Sequence, residues 1–580
     1  MLPLLIALLQ SGSQATPDPG ARARAVVAQA THAVNVDSVA PVRMRWTAAA
    51  ARDRVAVLGL ASLARLTYDY AEASRHYNTL LGGRAVRDTI ELYAELERAQ
   101  VLTQQWQAGP AVAALQRTTA AAQRLGQPAI EAEALMMLAR FAARSAGLDS
   151  AAALLRRAGQ IVPADNAPLI ATHRCWHAGL LRYSAPARAD SLITEALATA
   201  RSSGDARVLA RCHQVRATIM EVRGRPLDAS RAADSARHVA AAVHDLEAVA
   251  AAQQFSAYVS VQFSASFDRA RPVADSAIRN GRRSGILLPV AWAELNLAQL
   301  AMRLSDARSA LVHLERAKVE LRRLNDGTGL AAALLLEGDA ANAVGQLDRA
   351  RVRYDSADAL YSALRFEAAR PSVLWRLAAL ELEAGNPVRA QQRFADGLAL
   401  AQRLNLTGHV QVNQYYLRGM MALRSGDVDG AVREFETFLG RLQSGSVHYH
   451  FDGRMRLTEA YARAGRMAEA TRTLEQSFLQ LDSARSLLND RDARVAVLQS
   501  RFVEFDSDLG IATIVNLLAA GGRPDTAFHV MEAQRSRHLW EQIVRRGALA
   551  GADQSEARVR RLVANPVRVA ELRARLPDST

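Results

Sequence analysis

The sequence predicts an all-α fold, a solenoid of about eleven to twelve helix pairs stacked side by side. Three observations predict it. The chain has 580 residues, far more than one hydrophobic core can organise. An alanine recurs at intervals of about forty residues, and no segment shows the period-two alternation of a β-strand. Half of the residues are hydrophobic but only 5% are aromatic, as expected for helices that pack closely through small side chains.

The repeat is marked by a glycine followed five positions later by an alanine, as in Gly385 and Ala390 or Gly426 and Ala431. Alignment on this alanine gives eleven units, with successive spacings between 37 and 41 residues. The aligned alanines are Ala73, Ala114, Ala151, Ala189, Ala229, Ala270, Ala310, Ala350, Ala390, Ala431 and Ala470.

Each part of the unit has a physical reason. The glycine supplies the left-handed residue that ends the first helix, and a nearby Asp427, Asn386 or Asp348 is expected to cap the second. The alanine is expected where the two helices approach most closely. The residue four positions later lies on the same helix face, and we expect it to fill the gap to the next unit. It is bulky in most units, as in Phe435, Phe394, Tyr354 and Leu474.

This pattern resembles the tetratricopeptide repeat over residues 50–480, with small residues at the eighth and twentieth positions and glycine before the turn. The resemblance implies a superhelical solenoid (TPR-like). The period departs from the family's thirty-four residues or so, which implies helices about one turn longer. Arrays of HEAT and armadillo repeats share a period near forty and remain an alternative.

The period ends after Phe478. Residues 478–505 are predicted to form one long helix, followed by a final helix pair that closes on the phrase Glu532-x-x-Arg535-Ser-Arg537-x-Leu539. This stretch resembles the junction of bacterial proteins that join tetratricopeptide repeats to a CHAT domain, a caspase-like peptidase. The phrase from Val569 to Pro577 resembles the opening of that domain. The resemblance covers residues 480–580 and implies a sensor and scaffold arm, with the catalytic His and Cys of the family beyond Thr580.

The predicted organisation has four parts. Residues 1–15 form a possible signal peptide, residues 16–480 the repeat array, residues 481–545 the long helix and final repeat, and residues 546–580 a charged linker that opens the missing CHAT domain. The apolar run from Leu2 to Leu9 and the step Ser13-Gln14-Ala15 favour export to the periplasm, with cleavage near Ala15. This leader has no Lys or Arg, so a cytoplasmic protein with an ordinary first helix is the alternative. No later segment is apolar enough to be a transmembrane helix.

The formal net charge is +14, and Lys318 is the only lysine. A strongly basic chain can bind nucleic acid, but here acidic and basic residues are interleaved, as in Glu95-Leu96-Glu97-Arg98. We therefore expect arginine-rich solvated helix faces and consider nucleic acid an unlikely partner. Only residues 545–575 are locally dense in arginine.

Motifs for catalysis or cofactor binding were not found, so the sequence predicts a protein that is not an enzyme and has no cofactor or metal. No P-loop, nucleophile elbow or zinc-peptidase motif is present. His173 and His177 have the spacing of two metal ligands on a helix, but Cys175 lies on another face and no third ligand is evident. The adjacent pair Cys212 and His213 diverges by about 100° on a helix and cannot form a catalytic couple.

The first helices are predicted to line a concave groove that binds an extended peptide or a helix of a partner protein. By analogy with the tetratricopeptide family, we expect the fifth, ninth and twelfth positions of each unit to face it. These include Gln214, Thr218, Gln299, Asp339, Asn342, Trp375, Tyr416, Met420 and Glu459.

Residues His448-Tyr449-His450 are predicted to form a solvated loop between units. The groove predicts an interaction scaffold or sensor, and the resemblance of residues 480–580 to CHAT-linked proteins implies that it regulates a CHAT peptidase. The alternatives are a nucleic-acid-associated regulator and an exported scaffold unrelated to CHAT.

Overall fold

The structure, a computed structural model, describes residues 18–486 and 511–528, apart from positions 106, 146–147, 264–266, 304–305, 405, 407–408 and 443–446. Over these residues the chain forms helices joined by turns, without any strand. The predicted leader, most of the long helix after Phe478 and the arginine-dense tail lie outside the described residues.

The helices are numbered in chain order. The first twelve are α1 Pro19–Asn35, α2 Val39–Ala49, α3 Arg54–Leu66, α4 Tyr70–Leu81, α5 Thr89–Gln104, α6 Ala108–Arg124, α7 Pro128–Ser145, α8 Leu148–Ile161, α9 Ala167–Leu181, α10 Pro186–Ser203, α11 Ala206–Val222 and α12 Pro226–Ala241. The next are α13 Leu246–Phe263, α14 Phe267–Arg283, α15 Leu287–Arg303, α16 Ala307–Arg323, α17 Gly327–Ala343, α18 Leu347–Ala363, α19 Arg370–Glu383, α20 Pro387–Arg403, α21 His409–Ser425, α22 Val428–Arg441, α23 Val447–Arg463, α24 Met467–Ser486 and α25 Ile511–Ala520. A 3-10 helix, Glu367–Ala369, precedes α19.

Eleven consecutive pairs, from α3/α4 to α23/α24, are the predicted repeats, and we number them 1 to 11. Within each pair the helices pack against each other, and each second helix also packs on the first helix of the next pair. The pair α1/α2 precedes repeat 1, with α1 packed on α3 and α5. The predicted fold class, an all-α solenoid of tetratricopeptide-like helix pairs, is confirmed.

The aligned alanines lie at the helix contacts, since all eleven are at most 1% exposed. Ten of them are the fourth residue of their second helix. In repeat 2 the fourth residue is Ala111, so the alignment on Ala114 was wrong by three positions. Both alanines are fully buried, which is why the sequence did not separate them.

The turns follow the predicted chemistry only in part. Gly385 and Gly426 have φ of 78° and 83°, the left-handed conformation that ends the first helix. Asp427 caps its helix by accepting a hydrogen bond from the Gly430 amide at 2.9 Å. The cap predictions at Asn386 and Asp348 were wrong. The Asn386 side chain donates to Glu381 instead, and Asp348 lies inside the first turn of α18.

The bulky residue four positions after the alanine packs on the first helix of its own repeat, and at Phe394 it also reaches the next repeat, since the ring lies 5.9 Å from the Arg418 guanidinium. The ring of Phe435 lies against Gly419 of its own first helix, and Tyr354 lies against Gly338 in the same way. A glycine on the first helix makes room for the ring from the second helix. The two helices of a unit are therefore locked by an aromatic-on-glycine contact.

The solenoid winds tightly, because repeats about five apart touch. The Glu247 amide of repeat 6 donates a hydrogen bond to the Tyr68 hydroxyl of repeat 1, at 3.3 Å. Phe451 and Phe478 of repeat 11 pack against the hydrophobic cluster that contains Ala257 of repeat 6. One superhelical turn therefore takes about five repeats.

Two further observations concern individual segments. The predicted loop at residues 448–450 was wrong, because Val447–Arg463 is a helix and Tyr449 is buried in it. In the described part of the chain, no helix has the length and apolar character needed to span a bilayer.

Candidate binding surface inside the superhelix

The first helices present an inner surface, by which we mean the side chains that point toward the superhelix axis. We identify such side chains by their interactions with side chains of non-adjacent repeats. The Gln104 amide of repeat 2 donates a hydrogen bond to the Glu247 carboxylate of repeat 6, at 3.0 Å. Glu133 of repeat 3 lies in the electrostatic field of Arg211 of repeat 5. Side chains that point away from the superhelix axis diverge from one repeat to the next, so they could not interact in this way.

The inner surface near the amino terminus is charged and largely paired. Glu97 accepts hydrogen bonds from Arg65 at 2.9 Å and from the Tyr77 hydroxyl at 3.1 Å, and a further one from the Ser62 hydroxyl. Arg65 and Glu97 lie on adjacent first helices, α3 and α5. This ion pair joins repeats 1 and 2 on the inner side.

Glu133 is the least compensated carboxylate of this region. Among the described residues, its carboxylate accepts one hydrogen bond, from the Gln100 amide at 2.8 Å. Desolvation by burial raises its pKa above the ordinary glutamate value, although the nearby Arg211 and Arg65 act in the opposite direction. A group that donates hydrogen bonds or carries positive charge would therefore be attracted to this position.

Farther along the axis the inner surface becomes more apolar and amidic. Trp292 and Gln299 of repeat 7 are half-buried, and so are Leu335 and Asp339 of repeat 8. The Trp292 indole N–H donates to Asp326 at 3.0 Å, which fixes its ring. This section combines flat apolar area with the free amide of Gln299, as peptide grooves commonly do.

Three of the predicted groove residues are not on this surface. Trp375, Tyr416 and Met420 are buried in the hydrophobic core of repeats 9 to 11. Trp375 stacks on Phe394, with ring centroids 6.5 Å apart, and the Tyr416 ring lies edge-on to two phenylalanine rings of its own repeat. Their assignment to the groove was wrong, because positions transferred from the shorter family repeat face the helix contact here.

The remaining predicted residues divide into anchors and accessible groups. Asp339 accepts hydrogen bonds from the Tyr354 hydroxyl at 2.8 Å and from the Arg376 guanidinium at 2.9 Å, so it joins repeats 8 and 9. Glu459 is buried and pairs with Arg456 and Arg463, both at 2.7 Å.

Asn342 is buried as well, and its side-chain oxygen has no hydrogen-bond partner among the described residues. Gln214 and Thr218 of repeat 5 and Gln299 of repeat 7 are half-buried. The Thr218 hydroxyl donates to the Val215 carbonyl, at 2.8 Å. The Gln214 side-chain oxygen has no partner in the described part of the chain. A binding role for these residues stays a prediction.

Sequence reasoning missed Gln104, Glu133 and Glu247. A signal was present, because Glu133 and Arg211 each precede the aligned alanine of their repeat by eighteen residues, two repeats apart. Opposite charges at equivalent positions of nearby repeats indicate a shared face of the solenoid. The aligned alanines alone do not show this, since they mark only the contact between helices.

The histidine candidates take part in packing. The rings of His173 and His177 lie 6.0 Å apart, and His173 Nε2 is 2.9 Å from the Leu155 carbonyl oxygen. Burial lowers the pKa of His213 to about 4, with Arg201 and Arg216 adding to the effect. No group of three or more His, Cys, Asp or Glu within the described residues is arranged to hold a metal ion.

A cleft of about 440 Å³ lies at repeats 9 and 10. Its apolar lining includes Phe394, Leu398 and Met421, and its charged rim includes Arg418 and Glu434. The Arg418 guanidinium lies 5.9 Å from the Phe394 ring centroid. This cleft is a second surface where an apolar side chain of a partner could be held.

No protein-family model matches the chain, and no curated protein matches it. Solved structures with a similar arrangement were found. A Rap protein complexed with competence and sporulation factor has a TM-score of 0.49 and 15% identity, over 62% of this chain and 99% of that chain. The hetero-tetramer Cut9–Hcn1 of the APC/C has a TM-score of 0.45 and 15% identity, over 88% and 89% of the two chains. Yeast Tom70 has a TM-score of 0.34 and 12% identity, over 82% and 94%. This chain is itself a solenoid of tetratricopeptide-like helix pairs.

Proposed function

We propose that the protein is an interaction scaffold that binds a segment of a partner polypeptide along the inner surface of its superhelix. The main support for this proposal is that polar groups of this surface lack hydrogen-bond partners or opposite charges within the described part of the chain. The side-chain oxygens of Gln104 and Gln214 have no hydrogen-bond partner among the described residues, and burial raises the pKa of Glu133. Unpaired polar groups are costly, so a partner that supplies donors is favoured.

The proposed partner segment is extended. An extended chain offers a backbone N–H at every residue except proline. Those donors match the amide and carboxylate oxygens of Gln214, Gln299 and Glu133.

Mutation of accessible inner-surface residues tests this proposal. The double variant Gln214→Ala with Gln299→Ala removes two half-buried amides that form no hydrogen bond within the described part of the chain. Loss of about two hydrogen bonds to the partner should weaken binding about tenfold or more, with far-UV circular dichroism unchanged. Asp339 and Asn342 are left intact, since Asp339 holds Arg376 and Asn342 is buried.

The matched control is Gln392→Ala with Gln402→Ala, two exposed glutamines on α20. A photo-crosslinking residue at position 299 should join the partner to the protein, and one at position 392 should not. Variant Met421→Glu tests the cleft at repeats 9 and 10 in parallel. Equal binding by the inner-surface variant and its control would reject the inner surface, and selective loss with Met421→Glu would move the site to the cleft.

The finer part of the proposal is that the partner is a caspase-like CHAT peptidase. It is supported by the phrase from Glu532 to Leu539 and by the one from Val569 to Pro577. The gene sequence past codon 580 and the neighbouring reading frames should encode a domain with the His and Cys of that family. A different partner crosslinked at position 299 would remove the peptidase and leave the scaffold function in place.

A further inference from the structure

The chain has two cysteines among 580 residues, and the fold brings them together. Cys175 lies on α9, the first helix of repeat 4, and Cys212 on α11, the first helix of repeat 5. Both are fully buried in the same hydrophobic cluster. Cys212 raises the pKa of the Cys175 thiol, and α9 packs directly against α11. The two thiols therefore face one another across the contact between neighbouring repeats.

The packing around the pair shows that the two helices approach closely there. One turn after Cys175, a Cβ atom added at Gly179 would lie 3.4 Å from the Val215 side chain. Val215 itself is three residues after Cys212, so the close approach continues along both helices in register. Small residues on first helices permit this short separation, and a disulfide requires it.

In several other repeats, a small and inert residue holds the position of Cys212. The equivalent residues, seventeen before the aligned alanine, are Ala134 in repeat 3, Ala293 in repeat 7 and Ala333 in repeat 8. A cysteine fits the same space but can also be oxidised. Here it lies opposite Cys175, the other of the two cysteines in the chain.

We propose that Cys175 and Cys212 are a redox-modification site, at which an intramolecular disulfide joins the first helices of repeats 4 and 5. The oxidant is a small disulfide such as oxidised glutathione. One cysteine thiolate attacks it, releases one glutathione and leaves a mixed disulfide. The second cysteine then attacks the protein sulfur, forms the Cys175–Cys212 bond and releases the second glutathione. The two protons and two electrons lost by the cysteines end on the two glutathione thiols.

The disulfide forms as the chain folds. In the folded protein both thiols are inaccessible, and burial together with the Cys212 contact raises the pKa of Cys175, which lowers its thiolate fraction. A small disulfide reaches them only through local opening of α9 and α11. The bond then ties together two first helices beside Gln214, on the inner side of the solenoid.

The experiment compares refolding with and without oxidant. The full chain is unfolded with a reductant, refolded in oxidised and reduced glutathione, and then treated with N-ethylmaleimide in denaturant. The expected product is a monomer that carries no maleimide and no glutathione, with a mass two hydrogens below that of the reduced chain. Native reduced protein exposed to the same buffer should form this product more than about tenfold more slowly.

The single variants Cys175→Ala and Cys212→Ala are the controls, and each should carry one maleimide or one glutathione. Hydrogen exchange of α9 and α11 should slow in the oxidised wild type and stay unchanged in both variants. Two free thiols, stable glutathione adducts or a disulfide-linked dimer after oxidative refolding of the wild type would each overturn the proposal.

Discussion

A single methyl group at Gly419 tests whether the aromatic-on-glycine contact holds a repeat together. Gly419 lies in the middle of α21, where alanine ordinarily stabilises a helix by about 1 kcal/mol relative to glycine. Here a Cβ atom would lie 2.7 Å from the Phe435 ring. Phe435 is fully buried and packs edge-on against Tyr416, so its ring has little room to move. Overpacking costs about 1–3 kcal/mol, and after subtraction of the helix gain Gly419→Ala should destabilise the repeat by up to about 2 kcal/mol.

The control is Gly440→Ala in the last turn of α22, where nothing lies within 4 Å of an added Cβ atom. That variant should stabilise, by up to about 1 kcal/mol. The two substitutions are chemically identical, so their opposite signs isolate the packing contribution.

The measurement has to be local, because long repeat arrays do not unfold in one step. Hydrogen exchange of the α21 and α22 amides reports the opening free energy of repeat 10. The double variant Gly419→Ala with Phe435→Leu completes the test. The smaller side chain should absorb part of the strain, so the two changes together cost less than their sum. Strict additivity, or stabilisation by Gly419→Ala as large as in the control, would refute the contact as the source of rigidity.

Three further predictions concern other parts of the fold. The pKa of His213 lies at about 4 in the folded protein instead of about 6.5, so the unfolded chain takes up a proton first as the pH falls. The free energy of unfolding should therefore decrease as the pH falls from 6.5 to 4, by at most about 3 kcal/mol. In a series of thermal midpoints measured across this pH range, His213→Gln should reduce the decrease, whereas the control His238→Gln, at an exposed histidine, should not. Ala470→Trp should lower the stability of repeat 11 by about 1–3 kcal/mol or more, which would appear as faster amide hydrogen exchange in α23 and α24. Unchanged exchange in this variant would contradict the close contact between the two helices. Arg376→Met should cost about 3–5 kcal/mol by removing the buried cation that pairs with Asp339, and unchanged hydrogen exchange in α17 and α19 would show that the pair adds nothing.

The sequence predicts the local architecture well, because the repeat depends on short-range geometry. A left-handed glycine ends one helix, and five residues later an alanine permits close contact with it. Both requirements hold at Gly385 and Ala390 or at Gly465 and Ala470, with no contribution from distant residues. Where two alanines satisfy the packing requirement, as at Ala111 and Ala114, the sequence cannot tell which of them begins the helix contact.

The inner surface is harder to predict because it depends on the rotation between repeats. The fifth position of a unit faces the groove in one superhelix and the helix contact in another, which explains why Trp375 and Tyr416 are core residues here. That rotation results from many small differences in side-chain packing, and the sequence shows it only through opposite charges that interact between non-adjacent repeats. Glu133 and Arg211 are one such pair.

Tight winding has a consequence for how a partner enters. Repeats 1 and 6 touch through Tyr68 and Glu247, and repeats 6 and 11 touch through Phe451 and its neighbours. The contact between repeats 1 and 6 also has an apolar part, because Ile286 is buried in the amino-terminal hydrophobic cluster and a Cβ atom added at Gly285 would lie 3.4 Å from the Tyr70 ring. The contact between repeats 6 and 11 is apolar and exposes hydrophobic area when it opens. Separation of successive turns therefore exposes hydrophobic area at both contacts. A partner segment is expected to enter along the superhelix axis, without separation of the turns.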